Sequence, residues 1–230
     1  MRLLKDFIEL FFPRTCCVCG KPLVGDEKEI CLNCLCDLPE ALNASGEDNF
    51  VARRLQGRVP LEAATALLLF KRKNNAQKIL HQIKYHGNER LAILMGQQLG
   101  VSLSKNNLFD NIDIIIPVPL HPRKLRKRGY NQSLLICQGI TKVFKRPICT
   151  DNLIRIHHTE TQTHKNREER YDNMHNVFAL QNPTALEGKH ILLVDDVLTT
   201  GATTEGCWFA LKQVKNLKIS IAVLAVSGDT

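Results

Sequence analysis

The sequence predicts an α/β fold in which a parallel sheet is flanked by helices, preceded by a small cysteine-rich module. The prediction rests on compact apolar runs, on helical periodicity between these runs, and on six of the nine cysteines lying between residues 16 and 36. Apolar runs without alternation are typical of strands covered on both faces, and strands alternating with helices favour a parallel sheet. In such a sheet we expect a ligand site at the carboxyl ends of the strands.

The predicted elements follow one another along the chain in three parts. Residues 1–40 form the cysteine-rich module, residues 41–60 are polar and are predicted to be a linker, and residues 61–230 form the α/β domain. Pro117 and Pro119 end one strand, because proline cannot donate a ladder hydrogen bond. Strands are predicted at residues 64–70, 112–116, 191–194 and 219–226, and helices at residues 74–85, 89–103, 131–144 and 203–214.

Composition and charge narrow the class of protein. The net charge of +8 favours phosphorylated or polyanionic partners, although a basic protein without such a partner has the same charge. No run of 18 uncharged apolar residues occurs, so no membrane-spanning helix is expected. The first twelve residues show helical apolar spacing interrupted by Asp6 and Glu9, which predicts an amphipathic helix packed on the protein rather than a signal peptide or membrane anchor. We therefore expect a cytoplasmic protein.

Two CxxC pairs are the clearest feature of the N-terminal module. Cys16 and Cys19 form the first pair, Cys31 and Cys34 the second, and eleven residues separate the pairs. Two such hairpins place four thiolates at tetrahedral corners, which suits a structural Zn²⁺ in a zinc-ribbon-like module. A redox-active CxxC and an unligated cluster are the alternatives, and Cys36 could replace Cys34 as the fourth ligand.

The most informative segment runs from residue 190 to residue 203. An apolar strand leads there to two adjacent acids, and a loop of small polar residues then opens a helix. The acids are Asp195 and Asp196, and the loop residues are Thr199, Thr200, Gly201, Ala202 and Thr203. Backbone N–H groups and hydroxyls at a helix start can cradle a phosphate, whereas two acids suit vicinal sugar hydroxyls. A capped helix after solvated acids is the plainer interpretation, which accounts for the threonines but not for the acids.

A second loop and a basic segment follow the strand at residues 112–116. The loop consists of Pro117, Val118, Pro119 and Leu120, and the basic residues beyond it are Arg123, Lys124, Arg126, Lys127 and Arg128. Closely spaced charges of one sign usually indicate an anionic partner. Pyrophosphate, single-stranded nucleic acid and plain solvent are the alternatives, and Tyr130 beside the charges could stack on a base.

These motifs resemble those of a broad enzyme family and of a narrower family within it. The apolar run, the two acids and Thr-Thr-Gly-Ala-Thr resemble the phosphoribosyl pyrophosphate (PRPP) signature of type I phosphoribosyltransferases. Further motifs are Lys84-Tyr85-His86-Gly87, Arg128-Gly129-Tyr130-Asn131-Gln132, Thr159 with Gln162, Arg170 with Asn173, and Phe178. With the N-terminal cysteines, they make nearly the whole chain similar to the ComF/ComFC family of competence proteins, also called GntX-like.

The resemblance implies roles for these residues. Asp195 and Asp196 would hold the ribose hydroxyls and residues 199–203 the 5′-phosphate. Residues 117–120 with Lys84 would bind the pyrophosphate, with Mg²⁺ bridging pyrophosphate and ribose oxygens. The family further implies a role in DNA uptake for natural transformation, with single-stranded DNA and a DNA-uptake helicase as partners. Purine-salvage members carry an acid where this chain has Thr199, so purine salvage is disfavoured.

Four histidines precede the signature strand, namely His157, His158, His164 and His175. They lack the Cys or acid spacing typical of a metal site. The segment at residues 155–175 is predicted to form a solvated or phosphate-facing hood over the site, with metal ligation as the alternative.

Two functions follow from this sequence. The first is a ComF-like competence protein that binds PRPP or a nucleotide and single-stranded DNA during DNA uptake. The second is an active phosphoribosyltransferase, similar to an amidophosphoribosyltransferase, acting on an unknown small acceptor. The missing acid at Thr199 favours the first, while the intact pair of acids and the threonine loop indicate retained PRPP or nucleotide binding.

Overall fold

A parallel sheet organises the computed structural model, which describes residues 13–41, 49–156 and 177–228. Its strands are β1 (Ala63–Phe70), β2 (Ile114–Pro117), β5 (His190–Leu198) and β6 (Lys218–Ser227), in the order β1-β6-β5-β2. Two short strands, β3 (Leu153–Arg155) and β4 (Phe178–Leu180), pair antiparallel in a separate sheet. All four main strands are parallel, which confirms the predicted α/β class and brings their carboxyl ends to one edge.

Helices cover both faces of the sheet. They are α1 (Leu32–Cys36), α2 (Phe50–Leu55), α3 (Asn75–Tyr85), α4 (Glu89–Ser104), α5 (Pro122–Arg128), α6 (Gln132–Val143) and α7 (Ala202–Leu211), with 3-10 turns at Asn107–Phe109 and Pro183–Leu186. None of these helices combines the length and apolar character that crossing a membrane requires, within the described residues.

The core divides into two layers because side chains alternate along a strand. On β5, Leu192 and Val194 pack beneath α3, α4 and α6, whereas Ile191 and Leu193 pack towards α2 and α7. All four of these side chains are buried, as expected for a strand covered on both faces. The continuous apolar run at residues 191–194 thus reflects burial on both sides of the sheet.

Helices α4 and α6 approach each other closely where both carry glycine. A Cβ atom at Gly96 would lie 2.3 Å from the Ile136 carbonyl oxygen, and one at Gly139 would lie 2.2 Å from the Ile93 carbonyl oxygen. Neither distance is compatible with a side chain, so the two backbones pack at a separation that only glycine permits. This contact fixes α6, whose first turn faces the carboxyl edge of the sheet.

A helix lies within the segment that the sequence predicted to be a linker. Helix α2 occupies part of this segment, and its side chains Val51 and Leu55 are buried, as is Val59 just beyond it. Asn49 is only 1% exposed: its side chain caps α2 by accepting from the N–H groups of Val51 and Ala52, and donates to the Ala64 carbonyl at 2.7 Å. The polar composition concealed apolar residues at positions i, i+4 and i+8, which is helical spacing.

Two further differences lie near the strand ends. Strand β5 continues to Leu198, so Asp195 and Asp196 lie inside the strand, near its carboxyl end, rather than after it. The basic segment forms the short helix α5, which begins at Pro122 and ends at Gly129, whose φ of +82° favours glycine. The amphipathic helix predicted for the first twelve residues lies outside the described residues, as do the four histidines and the motif residues 159, 162, 170 and 173.

Candidate functional site: an anion pocket and a cysteine cluster

The two acids of β5 are held by partners from distant parts of the chain. Ser133, at the start of α6, donates its hydroxyl to Asp195 Oδ1 at 3.0 Å, and the backbone N–H of Asp196 donates to the same oxygen at 2.8 Å. Lys84, near the end of α3, places Nζ 3.0 Å from Asp196 Oδ1. The ion pair offsets the burial of the Asp196 side chain, which is only 9% exposed.

Burial perturbs Asp195, for which the described residues supply no cationic partner at contact distance. Desolvation, followed by the neighbouring negative charge of Asp196, raises the pKa of Asp195 to about 7. Hydrogen bonds from Ser133 and the Asp196 N–H, with the charge of Lys84, lower it less. Any hydrogen-bond donor that enters the pocket stabilises the ionised form of this buried carboxyl group. The site therefore suits a ligand rich in hydroxyl groups.

The threonine loop joins β5 to α7. Thr199 and Thr200 are exposed, and Gly201 has a φ of +83°, which a side chain rarely adopts. A Cβ atom at Gly201 would also lie 2.7 Å from Leu55 Cδ2 and 2.8 Å from Arg58 Nη2. Glycine is therefore required here both by the turn and by the close approach of the segment that carries α2.

Arg54 and Arg58, which no sequence motif indicated, bind the carbonyl groups of the threonine loop. Arg58 Nη2 donates to the Thr200 carbonyl at 2.7 Å, and Arg58 Nη1 lies 3.2 Å from Glu205 Oε2 on α7. Arg54 Nη1 donates to the Thr199 carbonyl and to the Ser227 hydroxyl at the end of β6. These bonds use the carbonyl groups of the loop and so restrain its position. The N–H groups of the loop stay available to bind an anion.

The loop after β2 and the first turn of α6 contribute further lining residues. Asn131 joins them: its Nδ2 donates to the Val118 carbonyl at 3.0 Å, and its Oδ1 accepts from the Ser133 N–H at 3.1 Å. Arg128 Nη1 donates to Gln132 Oε1 at 2.9 Å, which ties the end of α5 to the start of α6. Lys124 and Arg128 thus line the same cavity as the acidic pair.

These elements enclose a cavity of about 220 Å³ at the carboxyl edge of the sheet. Ten of the predicted site residues line it: Lys84, Val118, Pro119, Leu120, Lys124, Arg128, Asp195, Asp196, Thr199 and Thr203. Five further residues line it that were not predicted as site residues: Asn131, Gln132, Ser133, Arg155 and Val197. Thr200, Gly201 and Ala202 shape the loop without lining the cavity, and Pro117 is buried at the end of β2.

The aromatic ring beside the basic residues is not the predicted one. Tyr130 is partly buried against the core, and its hydroxyl donates to the Ile83 carbonyl, so its role is structural. Tyr85 is 67% exposed, and Arg128 Cζ lies 5.6 Å from its ring centroid. The exposed cations of α5 are Arg123, Lys124, Arg126 and Lys127. We call these four cations, Arg128 and Tyr85 the basic surface.

The four cysteines of the two CxxC pairs converge as predicted. The Sγ atoms of Cys16, Cys19, Cys31 and Cys34 all lie within 4.8 Å of one another, and those of Cys19 and Cys31 are 3.7 Å apart. A tetrahedral site with Zn–S bonds of about 2.3 Å has S–S edges of about 3.8 Å, so the four thiols fit Zn²⁺. Cys34 belongs to this cluster, and Cys36 is exposed outside it.

The surroundings of Cys16 favour the thiolate form that a metal requires. Burial raises the pKa of the Cys16 thiol, but backbone N–H donors, among them that of Cys31 at 3.3 Å from Sγ, outweigh burial and lower it to about 6. The spare thiol of Cys17 behaves differently, since burial and the charge of Cys16 raise its pKa to about 12. Of these two adjacent cysteines, Cys16 therefore favours the thiolate and Cys17 the neutral thiol.

The module is joined to the α/β domain by its backbone and by its apolar side chains. Backbone hydrogen bonds join residues 39 and 41 to the exposed edge of β1, and Lys78 Nζ donates to the Val18 carbonyl at 3.2 Å. Val18, Leu23 and Ile30 belong to the same core layer as α3 and α4. A larger cavity of about 670 Å³, lined partly by Arg14, Lys28, Glu29 and Arg90, lies beside this junction, away from the acidic pair.

The class of protein follows from the sheet and from a family match. Residues 133–230 match the phosphoribosyl transferase domain family, and this range contains Ser133, both acids and the threonine loop. The parallel sheet, with its acids and threonine loop at the carboxyl edge, agrees with that match. Residues 133–230 are therefore similar to a phosphoribosyl transferase domain, in agreement with the resemblance of the motifs.

Named relatives narrow this class. The DNA utilization protein YhgH of Salmonella typhimurium is 32% identical over 128 residues, which cover 54% of this chain and 56% of YhgH, so the match spans about half of that relative. Competence protein F of Haemophilus influenzae is 36% identical over 92 residues, 40% of each chain. Competence protein ComFC of Bacillus subtilis is 27% identical over 191 residues, 83% of this chain and 74% of ComFC. The chain is thus a homologue of competence proteins F and ComFC, as its motifs predicted, and also of the DNA utilization protein YhgH.

Proposed function

We propose that the protein acts in DNA uptake during natural transformation, with a pocket that binds PRPP or a nucleotide and a basic surface that binds single-stranded DNA. The names of its relatives, two competence proteins and a DNA utilization protein, support the process. The single observation that supports the ligand is the convergence of two acids, a threonine loop and several cations on one cavity.

The cavity offers a matching group for each part of PRPP. Asp195 and Asp196 accept hydrogen bonds from the ribose 2′- and 3′-hydroxyls. The loop and α7 N-terminus, with Thr199 and Thr203 lining the cavity, bind the 5′-phosphate through N–H and hydroxyl donors. Lys124 and Arg128 neutralise the pyrophosphate. Mg²⁺ would accompany PRPP and bind its oxygens, and the nearby carboxylates suit that hard cation.

The basic surface suits single-stranded DNA because it combines cations with an exposed aromatic ring. Lys and Arg side chains bind phosphates, and an exposed tyrosine offers a face on which a base can stack, typically for about 1–3 kcal/mol per base. Tyr85 follows Lys84 directly, and Lys84, Lys124 and Arg128 line the cavity. The DNA strand would therefore pass beside the mouth of the pocket.

The cysteine cluster has a structural role in this proposal. It would hold one Zn²⁺, and together with the basic surface it would provide the contact for a DNA-uptake helicase. The four-thiolate ligand set leaves no open coordination position, which is typical of structural rather than catalytic zinc.

Two binding experiments on the same preparation test the proposal. Millimolar Mg²⁺–PRPP should raise the melting temperature, and fluorescence anisotropy should show binding of single-stranded DNA that weakens with salt. Replacing Arg123, Lys124 and Lys127 by alanine should flatten the slope of log K against log salt by about 0.7 per lost phosphate contact. Exchanging Lys105, Lys189 and Lys215 for alanine is the charge-matched control. Absence of both binding activities would reject the proposal, and an unchanged slope would reject the basic surface.

A second candidate function is an active phosphoribosyltransferase, favoured by the cations of the cavity where a pyrophosphate leaving group would lie. In that reaction a nucleophile such as ammonia bonds to C1 of PRPP while the C1–oxygen bond to pyrophosphate breaks. Release of pyrophosphate from Mg²⁺–PRPP in the presence of ammonium salts, abolished by Asp195→Asn with Asp196→Asn, would favour it. Tight PRPP binding without release would favour the binding protein.

A further inference from the structure

Gln132 is a buried side chain with an unused hydrogen-bond donor in the pocket. It is 1% exposed, it is the first residue of α6, and it lines the cavity. Its Oε1 accepts from Arg128 Nη1 at 2.9 Å, whereas its Nε2 has no partner among the described residues. The side chain is therefore satisfied on one side only.

The orientation of this amide follows from the chemistry of its neighbour. An arginine side chain has donors and no acceptor, so only the carbonyl oxygen of Gln132 can face Arg128. The NH₂ group is thereby turned away from Arg128 and keeps its donors for another group. Buried donors without partners are rare in folded proteins, and one that lines a ligand cavity indicates an acceptor supplied by the ligand.

The surrounding charges indicate which part of the ligand supplies that acceptor. Gln132 lines the cavity together with the cations Lys124 and Arg128, and it contacts Arg128 directly. Arg155 Nε is a second buried donor without a partner among the described residues, and Arg155 also lines the cavity. Donors and cations that line one cavity suit an acceptor with negative charge, and in PRPP the group away from the ribose hydroxyls and the 5′-phosphate is the pyrophosphate.

We propose that the Gln132 side-chain amide donates a hydrogen bond to the pyrophosphate group of the bound ligand and thereby selects PRPP over ribose 5-phosphate. This inference rests on the proposed function, because it assumes that the pocket binds PRPP. Gln132 performs two tasks with one amide: its oxygen orients Arg128, and its nitrogen reads the pyrophosphate. The residue lies outside the threonine loop and the acidic pair, so neither of those motifs would reveal it.

The decisive variant is Gln132→Glu, since it keeps an acceptor for Arg128 and replaces the donor by a carboxylate oxygen. Affinities for Mg²⁺–PRPP, Mg²⁺–pyrophosphate and ribose 5-phosphate are measured by isothermal titration calorimetry. We expect the affinities for PRPP and pyrophosphate to fall at least about tenfold, the scale of a charged hydrogen bond that is lost. The affinity for ribose 5-phosphate should stay within about twofold.

A second variant and a matched control separate this role from a structural one. Gln132→Met keeps the length of the side chain and adds no charge, so it should also lower PRPP affinity while leaving ribose 5-phosphate binding in place. Gln138→Glu introduces the same charge on an exposed position of α6 and should change neither affinity. Melting temperatures of all variants are recorded without ligand, and Gln132→Met carries the test if the glutamate variant does not fold.

The outcomes distinguish the inference from the function on which it rests. If the wild-type protein binds none of the three ligands, the proposed function fails and the assignment of Gln132 fails with it. If the wild type binds PRPP and the Gln132 variants bind it equally well, only the assignment fails. Equal losses for PRPP and ribose 5-phosphate would also overturn it, because they would place the contact at the ribose or at the 5′-phosphate.

Discussion

The cysteine cluster and the anion pocket are both built from short motifs, but different forces hold their residues in place. Helix α1 of the cysteine module has no buried residue, and the thiols of the two CxxC pairs converge on one point. In the pocket, the acids and the threonine loop are mounted on β5, whose residues from Ile191 to Val194 are buried on both faces of the sheet. A bound metal is expected to hold the first site together, whereas the second exists before its ligand arrives.

This difference predicts opposite responses to loss of ligand. Removal of zinc should unfold the module, because a structural zinc site contributes on the order of 10–16 kcal/mol of metal-dependent folding free energy. Removal of the anion should leave the pocket folded, because the sheet and helices position it without help. The predictions below test this contrast, beginning with the largest expected effect.

Loss of one thiolate should have the largest effect. We expect the wild-type protein to carry about one Zn²⁺ per chain, and Cys16→Ser to lose the metal and expose residues 13–41 to protease. Metal analysis and limited proteolysis measure both. Cys36→Ser, which changes a cysteine outside the cluster, is the control and should retain zinc. A zinc-free wild-type protein, purified without chelator, would contradict a metal-held module.

Loss of the acidic pair should remove ligand binding without unfolding. Asp195→Asn with Asp196→Asn eliminates charge-assisted hydrogen bonds of roughly 1.5–3 kcal/mol each to the ribose hydroxyls, so the melting temperature should no longer respond to Mg²⁺–PRPP. The melting temperature of the empty protein should be kept or raised, and zinc content should not change. Glu187→Gln, on the surface, is the control. A double variant that unfolds would show that these carboxylates are structural.

Loss of a loop restraint should have an intermediate effect. Arg58→Ala removes the bonds to the Thr200 carbonyl and to Glu205, so the threonine loop should become less ordered and PRPP affinity should fall about tenfold. Calorimetry measures this loss. Arg53→Ala serves as the control, since that arginine lies on helix α2, shortly before Arg58 in the chain, with its guanidinium over the Phe50 ring. Equal affinity in wild type and Arg58→Ala would show that the pocket does not depend on this segment.

The sequence was informative where a motif and its structural context coincide, and less so elsewhere. The CxxC pairs and the apolar run with its two acids are contiguous patterns. The thiols of the two pairs converge as their spacing predicted, whereas β5 extends beyond the predicted strand and includes both acids. Helix α2 was missed because Val51, Leu55 and Val59 are three apolar residues in a polar segment, too few to identify a helix from periodicity alone.

Contacts between distant residues could not be predicted at all. Ser133 reaches Asp195 because β2 and β5 are neighbours in the sheet, and this strand order is not written in any local pattern. The same holds for Lys84 and Asp196, and for Arg58 and the threonine loop. The environment of Tyr130 could not be predicted for a related reason: its neighbours in sequence are charged, but in the fold it packs against the core.

The smallest expected effect concerns the titration of Asp195. Its pKa is raised from an ordinary value of 3.8 to about 7, so between about pH 4 and pH 7 the folded protein holds a proton that the unfolded chain releases. A state that binds more protons is favoured at low pH, so this group stabilises the fold fully below about pH 4 and loses that contribution as the pH rises through 7. Asp195→Asn cannot titrate, and the melting temperature of this variant minus that of the wild type should therefore increase from pH 4.5 to pH 7 and then level off. Other groups that titrate in this range, including His190, are present in both proteins, so the difference isolates Asp195. Asp196→Asn removes the neighbouring negative charge that helps to raise the pKa, and it should narrow the pH range over which the difference develops. If the difference in melting temperature between Asp195→Asn and the wild type stays constant from pH 4.5 to pH 8, Asp195 is already ionised in the empty pocket. The empty pocket would then be no more strained than the cysteine module with its metal bound.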